Sequence, residues 1–271
     1  MPELPEVETT VRDLRPRLTG RRFKQVEVEI PRMVRAISPE ALRAGLVGHE
    51  VKAVERRGKF IVIPLDQGVF IVHLMMGGAL RWVEPADVGE PLKYARLRFV
   101  MDNDAEMLLV NPRTLGGVWL VEHADQVVGH LGPEPLEAGF TPEVLAARLR
   151  GRGAPIKPLL LDQSIVAGIG NIYADESLFL AGIRPERPAD EISPDEMIGL
   201  HKAILASLEK GVELRGTFLG DFIDPLGSKG RNQTTLNVFR QEGKPCPTCG
   251  TTVQKISFRG RGTHFCPKCQ K

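Results

Sequence analysis

Four cysteines crowd the end of the chain: Cys246-Pro247-Thr248-Cys249, then sixteen residues, then Cys266-Pro267-Lys268-Cys269. Two C-x-x-C pairs at this separation are a strong tetrahedral metal signature, because each knuckle offers two thiolates to one Zn2+. Four protein thiolates close the coordination sphere and leave no position for a reactive water, so the expected role of the single ion is structural. Such binding is worth about 10–16 kcal/mol in isolated finger peptides, enough to fold a hairpin too small to fold alone. Disulfides, the alternative, go with a secretory signal. The N-terminus carries Glu3, Glu6, Glu8, Arg12 and Asp13 where a signal peptide would be apolar. His264 is a fifth candidate ligand that four thiolates make unnecessary. Between the pairs, Arg259-Gly260-Arg261-Gly262-Thr263-His264-Phe265 reads as the hairpin tip, with two arginines able to approach a phosphate closely.

The other end of the chain offers different chemistry. Removal of Met1, which a small second residue favours, exposes the secondary amine of Pro2 beside the carboxylate of Glu3. A free α-amine has a reference pKa of about 7.7–8.0, so an appreciable fraction is unprotonated at neutral pH. Attack by such an amine gives a cationic iminium that withdraws electrons from the adjacent carbon, and Glu3 stands where a proton must then move. The same residues also make an ordinary helix start. Pro5 sits near the first helical position with Glu6 and Glu8 in the first turn, and Val7, Val11, Leu14 and Leu18 follow at helical spacing. Composition by itself favours the helix start.

The elements that must position these residues fall into two halves, for which 271 residues suffice. Val26/Val28/Ile30, 60–63, 69–72, Leu97/Phe99/Met101, 107–110 and 118–121 read as strands, an antiparallel sandwich or barrel beside one helix. The stretch Leu131-Gly132-Pro133-Glu134-Pro135 ends that pattern and marks a boundary. Helices follow, one opened by Thr141-Pro142-Glu143 and one by the capping box Ser193-Pro194-Asp195-Glu196. Between them Gly168 and Gly170 interrupt a helix, and Asn171 is placed to cap the next, a helix start suited to phosphate.

Charged residues make up 26% and hydrophobic ones 42%, as in globular proteins, with no apolar run of membrane-spanning length. The chain is therefore expected in the cytoplasm or with the nucleoid. Net charge is +2, but residues 226–271 hold nine Lys or Arg against one acid, Glu242. That segment carries +8 and the remainder −6, which points to a polyanion partner at the basic end.

Pro-Glu-Leu-Pro-Glu-Val-Glu-Thr at the N-terminus resembles the formamidopyrimidine-DNA glycosylases, bifunctional base-excision enzymes, and residues 156–179 closely resemble their helix-two-turn-helix. The resemblance implies an α+β fold. An N-terminal catalytic β-sandwich with a docked helix (1–131) is followed by a linker (132–140), a helix-two-turn-helix domain (141–225), and the end of a lesion loop with a C4 zinc finger (226–271). It implies a monomer acting on double-stranded DNA with oxidised bases or abasic sites, with one structural Zn2+ and no membrane association. Pro2 becomes the nucleophile, Glu3 the proton shuttle and Glu6 a group orienting the deoxyribose. Lys59, just before an apolar strand, contacts lesion and phosphate and takes part in proton transfer during elimination; Arg261, five residues before the third cysteine, grips phosphates and assists elimination. Asn171 contacts the phosphate beside the flipped nucleotide, with Lys157 as a second such contact. Met76 and Arg113 fill the gap left by the extruded nucleotide.

Departures from the family are local. Met75 replaces a usual Gly, and Gly77 a small hydroxyl residue. Tyr94 falls where a DNA-contacting His is common, and Leu115 stands in for a wedging aromatic. The 217–233 loop, whose Gly, Ser and Lys suit a lid, agrees least: Asn232 takes the place of an aromatic, and Val238-Phe239-Arg240 departs as well. The expected activity is excision of oxidised purines through a proline Schiff base with β,δ-elimination. The alternatives are an endonuclease VIII-like enzyme for oxidised pyrimidines, against which Leu4 and Val7-Glu8-Thr9 argue, and a non-catalytic zinc-finger DNA-binding protein.

Overall fold

The computed structural model describes residues 1–87, 89, 92–220 and 222–271. They form two compact units, Met1–His130 with Leu214–Arg231, and Leu131–Glu213 with Asn232–Lys271.

In the first unit, helix α1 (Leu4–Leu18) is followed by strand β1 (Phe23–Val28), helix α2 (Pro39–Leu46) and the strands β2 (Glu55–Arg57), β3 (Phe60–Pro64), β4 (Val69–His73) and β5 (Ala79–Val83). Strands β6 (Ala95–Met101), β7 (Glu106–Val110) and β8 (Gly117–Val121) and a short helix α3 (Asp125–Val128) complete it. The strands form two four-stranded antiparallel sheets, ordered β1-β6-β7-β5 and β2-β3-β4-β8. Of the two expected arrangements, the sandwich is the one found. Strand β1 has Phe23 and Val26 inside and Lys24, Gln25 and Glu27 outside, its alternation broken by a register shift between Phe23 and Gln25. The apolar runs Ile61-Val62-Ile63 and Phe70-Ile71-Val72 are buried throughout, which is why they lack alternation. Phe23 and Phe99 from one sheet meet Phe70 from the other, with ring centroids 6.0 and 5.2 Å apart, at the centre of the core.

Helix α1 buries Val7, Val11, Leu14 and Leu18 completely in that core. Its polar side is tied to β2 by Glu8, which accepts from Arg56 at 3.0 Å and from Arg12 at 2.8 Å. Burial pushes the Glu8 carboxyl up, but the two arginines outweigh it and hold it below its usual range.

The second unit comprises helices α4 (Pro142–Leu149), α5 (Ile156–Leu161), α6 (Asn171–Ala181) and α7 (Pro194–Glu213) and a hairpin of β9 (Gln254–Phe258) with β10 (Arg261–Phe265). Thr141 caps α4, its hydroxyl accepting from Val144 N–H at 3.3 Å. Ser193 and Glu196 close the reciprocal box read from the sequence, at 3.3 and 2.8 Å. Helices α6 and α7 cross where Gly211 lets Tyr173 in: a Cβ there would lie 2.5 Å from the Tyr173 hydroxyl oxygen. Among the described residues no helix is long and apolar enough to cross a membrane.

Candidate nucleic-acid interface

Pro2 and Glu3 are buried at the head of α1, where Glu3 is 3% exposed. Glu6 holds this end in place. One of its carboxylate oxygens accepts the Glu3 N–H at 2.9 Å, and the other accepts the Thr217 N–H at 2.6 Å. Gly216, at φ +82°, lies against the Glu6 side chain so closely that a Cβ would be 2.8 Å from its Cγ. The start of the 217–233 loop is thus bonded to the head of the first helix through one buried carboxylate. Further along, Arg215 pairs with Asp13 and Asp224 at 2.5 Å each, and Asp224 accepts from Leu226 and Ser228 N–H at 3.1 and 2.8 Å. Asp221 of this loop lies outside the described residues.

Lys59 lies in the β2–β3 turn, where Arg57 pairs with Phe60. It is 5% exposed, so this basic cluster is no solvated turn. Phe60 pairs with His73 at the end of β4, their rings 4.4 Å apart. Burial, and then the Lys59 charge, push the His73 imidazole down to about 4, so it is neutral at physiological pH. Its Nδ1 is set to accept the Met75 N–H at 3.2 Å.

The next candidates emerge from one edge of the sandwich. The 74–78 and 111–116 connections are bracketed by the pairs His73 with Gly117 and Ala79 with Val110, and Ala95 pairs with Val110 from the other side. Asn111, fully buried, staples them: its Nδ2 donates to Leu74 O at 3.1 Å, and its N–H donates to Tyr94 O at 2.9 Å. On this frame Met75, Met76, Tyr94 and Leu115 are all exposed, between 38% and 43%. Arg113 Nη1 contacts Met76 Sδ at 3.7 Å, so these two are neighbours. Lys93 and Arg96 flank the Tyr94 ring at 5.0 and 5.3 Å.

In the second unit the sequence reading needs two corrections. Asn171 does not cap α6. Gly170, in extended conformation, takes the cap position, and the Asn171 side chain, one residue inside the helix, donates to Gly262 O on β10 at 2.9 Å. Lys157 is 1% exposed and spends its donors internally: on Asp175 and the Thr263 hydroxyl at 2.7 Å each, and on Gly262 O at 3.2 Å. An ammonium with three donors so placed is a strut between α5, α6 and the hairpin, and the expected phosphate contact gives way to that role. Asp175 also accepts from His264, at 2.9 Å from the backbone N–H and 3.0 Å from Nδ1, and among the described residues the metal-holding cluster contains the four cysteines without His264. Glu176 binds the chain leading to the finger, accepting Asn237, Val238 and Phe239 N–H at 2.9 Å each. The departures at 232 and 239 are absorbed here: Asn232 donates to the Tyr173 hydroxyl at 3.3 Å, and Phe239 packs edge-on to His264 at 5.0 Å. The hairpin tip is narrower than read, Arg259-Gly260, with Arg261 opening β10 opposite Phe258.

The four cysteine sulfurs lie within 4.8 Å of one another, with Cys246–Cys269 at 3.8 Å and Cys249–Cys266 at 3.5 Å. Sulfurs around a tetrahedral Zn2+ at about 2.3 Å stand about 3.8 Å apart, so the cage fits. Without a cation the thiols compete. Hydrogen bonds from Thr251 push Cys249 down to about 6, while Cys249 itself pushes Cys269 up to about 12. A divalent ion relieves that conflict.

Asp175, Glu176 and the clamp made by Arg215 escaped the sequence reading, and His264 was weighed there as a metal ligand alone. Lys157 and Thr263, or Glu6 and Thr217, are so distant in sequence that no periodicity links them.

An antiparallel sandwich, helices joined through a two-turn connection, and a four-thiolate finger braced against them define a two-unit protein of the zinc-finger class. Family models agree segment by segment. Residues 1–118 match the formamidopyrimidine-DNA glycosylase N-terminal domain, 131–222 that family's H2TH domain, and 243–271 the zinc finger found in FPG and IleRS. The formamidopyrimidine-DNA glycosylase of Symbiobacterium thermophilum is 43% identical over 100% of this chain and 89% of its own length. That of Pelotomaculum thermopropionicum is 42% identical over 100% and 99%. Among solved structures, a Lactococcus lactis Fpg mutant in complex with Fapy-dG containing DNA superposes with a TM-score of 0.92 at 36% identity, covering 100% of both chains. The MutM (Fpg) protein of Thermus thermophilus gives 0.89 at 39%, covering 99% of this chain and 98% of its own. The chain belongs to the formamidopyrimidine-DNA glycosylase family.

Proposed function

We propose that the protein, a DNA glycosylase of base excision repair with the lyase activity typical of its family, excises oxidised purines from duplex DNA through Pro2. A damaged base inside a duplex must leave the stack before it is reached, at a cost of a few kcal/mol. With Met1 removed, the Pro2 nitrogen attacks the anomeric carbon and the base departs. The resulting Schiff base is cationic, acidifies the neighbouring C–H, and allows β- and then δ-elimination with Glu3 moving the protons. Lys59 in the first unit, and Asn171 and Arg261 in the second, contact phosphates. Met76, Arg113, Leu115 and Tyr94 meet the duplex where the nucleotide leaves. The four cysteines would hold zinc with a closed coordination sphere, so the ion would keep the hairpin folded and leave the chemistry to Pro2 and Glu3. The protein is placed in the cytoplasm, as a monomer.

The observation that carries this reading is the buried carboxylate of Glu6, which anchors the Glu3 backbone and Thr217 together. The bond to Glu3 is one half of the capping box that starts α1, but the second oxygen's bond to Thr217, 211 residues away, is more than a helix start requires and suits an amine that must meet one carbon. Borohydride trapping on 8-oxoguanine duplex, with the N-terminus verified by intact mass, tests it: a covalent adduct is expected, and its absence in protein beginning at Pro2 sinks the enzyme reading. A Lactococcus lactis Fpg also has a solved complex with oxidized pyrimidine containing DNA. Cleavage of 8-oxoguanine and thymine-glycol duplexes side by side therefore sets the preference.

A further inference from the structure

Met75 is in an unfavourable position twice over. Its backbone is left-handed, φ +52°, where an L side chain crowds its own carbonyl. Its long apolar side chain is 38% exposed. The same turn uses glycine for its other left-handed residue, Gly77 at φ +73°, so the chain has the cheaper solution at hand two residues on. The conformation is held from outside by the bond between Met75 N–H and the buried, neutral His73 ring. The neighbouring Met76, 43% exposed, rests on Arg113, so the turn presents two consecutive thioether side chains beside a guanidinium. Strain of this kind persists where a bound state uses it, and an exposed, flexible apolar side chain gains most by insertion between unstacked bases.

We propose that Met75 is a second wedge, a specificity-determining residue that contacts the base stack beside Met76 and favours duplexes with an extruded nucleotide over intact ones. The inference rests on the reading that the first unit binds damaged DNA. Its class of ligand is a purine or pyrimidine face exposed by unstacking.

The test uses full-length zinc-loaded protein, a duplex with a tetrahydrofuran abasic analogue, an intact duplex of the same sequence, and 2-aminopurine next to the site. Met75→Gly removes the side chain and the strain; Met75→Ala removes the side chain and keeps the strain. Both are expected to weaken binding to the abasic duplex by about fivefold while leaving the intact duplex unchanged, and to diminish the 2-aminopurine signal. Met75→Gly should melt no lower than the parent, which separates lost contact from lost fold. Unchanged discrimination in both variants overturns the proposal, as does a loss confined to one of them, which would assign the effect to the turn's shape. Failure of the parent protein to prefer the abasic duplex brings down the DNA-repair reading, and this proposal with it.

Discussion

The edge of the sandwich and the junction of helices with finger solve opposite problems. At the edge, Met75, Tyr94 and Thr114 adopt left-handed backbone without being glycine, and Met75, Met76, Tyr94 and Leu115 expose apolar side chains to water. At the junction, Lys157, Asp175, Glu176 and His264 are charged or polar, yet each is under a tenth exposed and hydrogen-bonded. The first region is costly in the free protein and gains when a partner covers it; the second is satisfied already and resists change. The residues proposed to meet a duplex are thus carried on strained turns. The residues that keep the finger in place are locked in a buried polar network.

Removing the metal breaks the comparison most forcefully. Chelation, or Cys249→Ser, should abolish zinc content and lower DNA affinity at least about a hundredfold, since the finger cannot fold without its ion. Both tryptophans, Trp82 and Trp119, belong to the first unit, so their fluorescence should stay native. A joint collapse of fluorescence and binding would show that the two regions are not independent.

Lys157→Met leaves the Asp175 carboxylate buried without its cation and should destabilise the second unit by about 3–5 kcal/mol. Lys157→Met with Asp175→Asn, which removes the charge but keeps an acceptor for His264, should recover much of that loss. If the single and double variants melt alike, the pair is not the lock described. Because the ammonium contacts Gly262, whose carbonyl also holds Asn171, zinc retained with weakened DNA binding is the expected signature.

His73 gives a smaller effect with a definite sign. Its folded pKa of about 4 lies below the unfolded value near 6.5, so on acidification the unfolded chain takes up the proton first. The stability it contributes is complete above about pH 6.5 and falls by about 2–3 kcal/mol as pH drops toward 4. His73→Asn, which keeps an acceptor for Met75, should flatten that part of the urea-stability profile against pH. A profile unchanged by the substitution would show that another group governs the turn.

Much of the second unit's local structure was open to a reader of the chain. The cysteine spacing specified the cage, Ser193 and Glu196 their capping box, and the glycines around 168–170 the break before α6, because each depends on neighbours a few residues away. The strands were equally plain where apolar residues alternate or run together. Misreadings came at the capping role given to Asn171 and the phosphate contact given to Lys157, both plausible for the residue type at its position. What redirected them was Gly262 and Thr263, about ninety and a hundred residues further along.

The sequence by itself determined the zinc ligands, the antiparallel strands, the helical starts and the family resemblance, since spacing and pattern are short-range properties that survive without coordinates. The choice of sandwich over barrel came from the sheet pairing. Only the tertiary structure decided that Glu6 anchors Thr217, that Arg215 draws residues 214–231 onto the first unit, and that Lys157 is a strut. The physical reason is burial. A carboxylate or an ammonium removed from water must find partners wherever the fold brings them, and no local pattern records how far along the chain those partners lie.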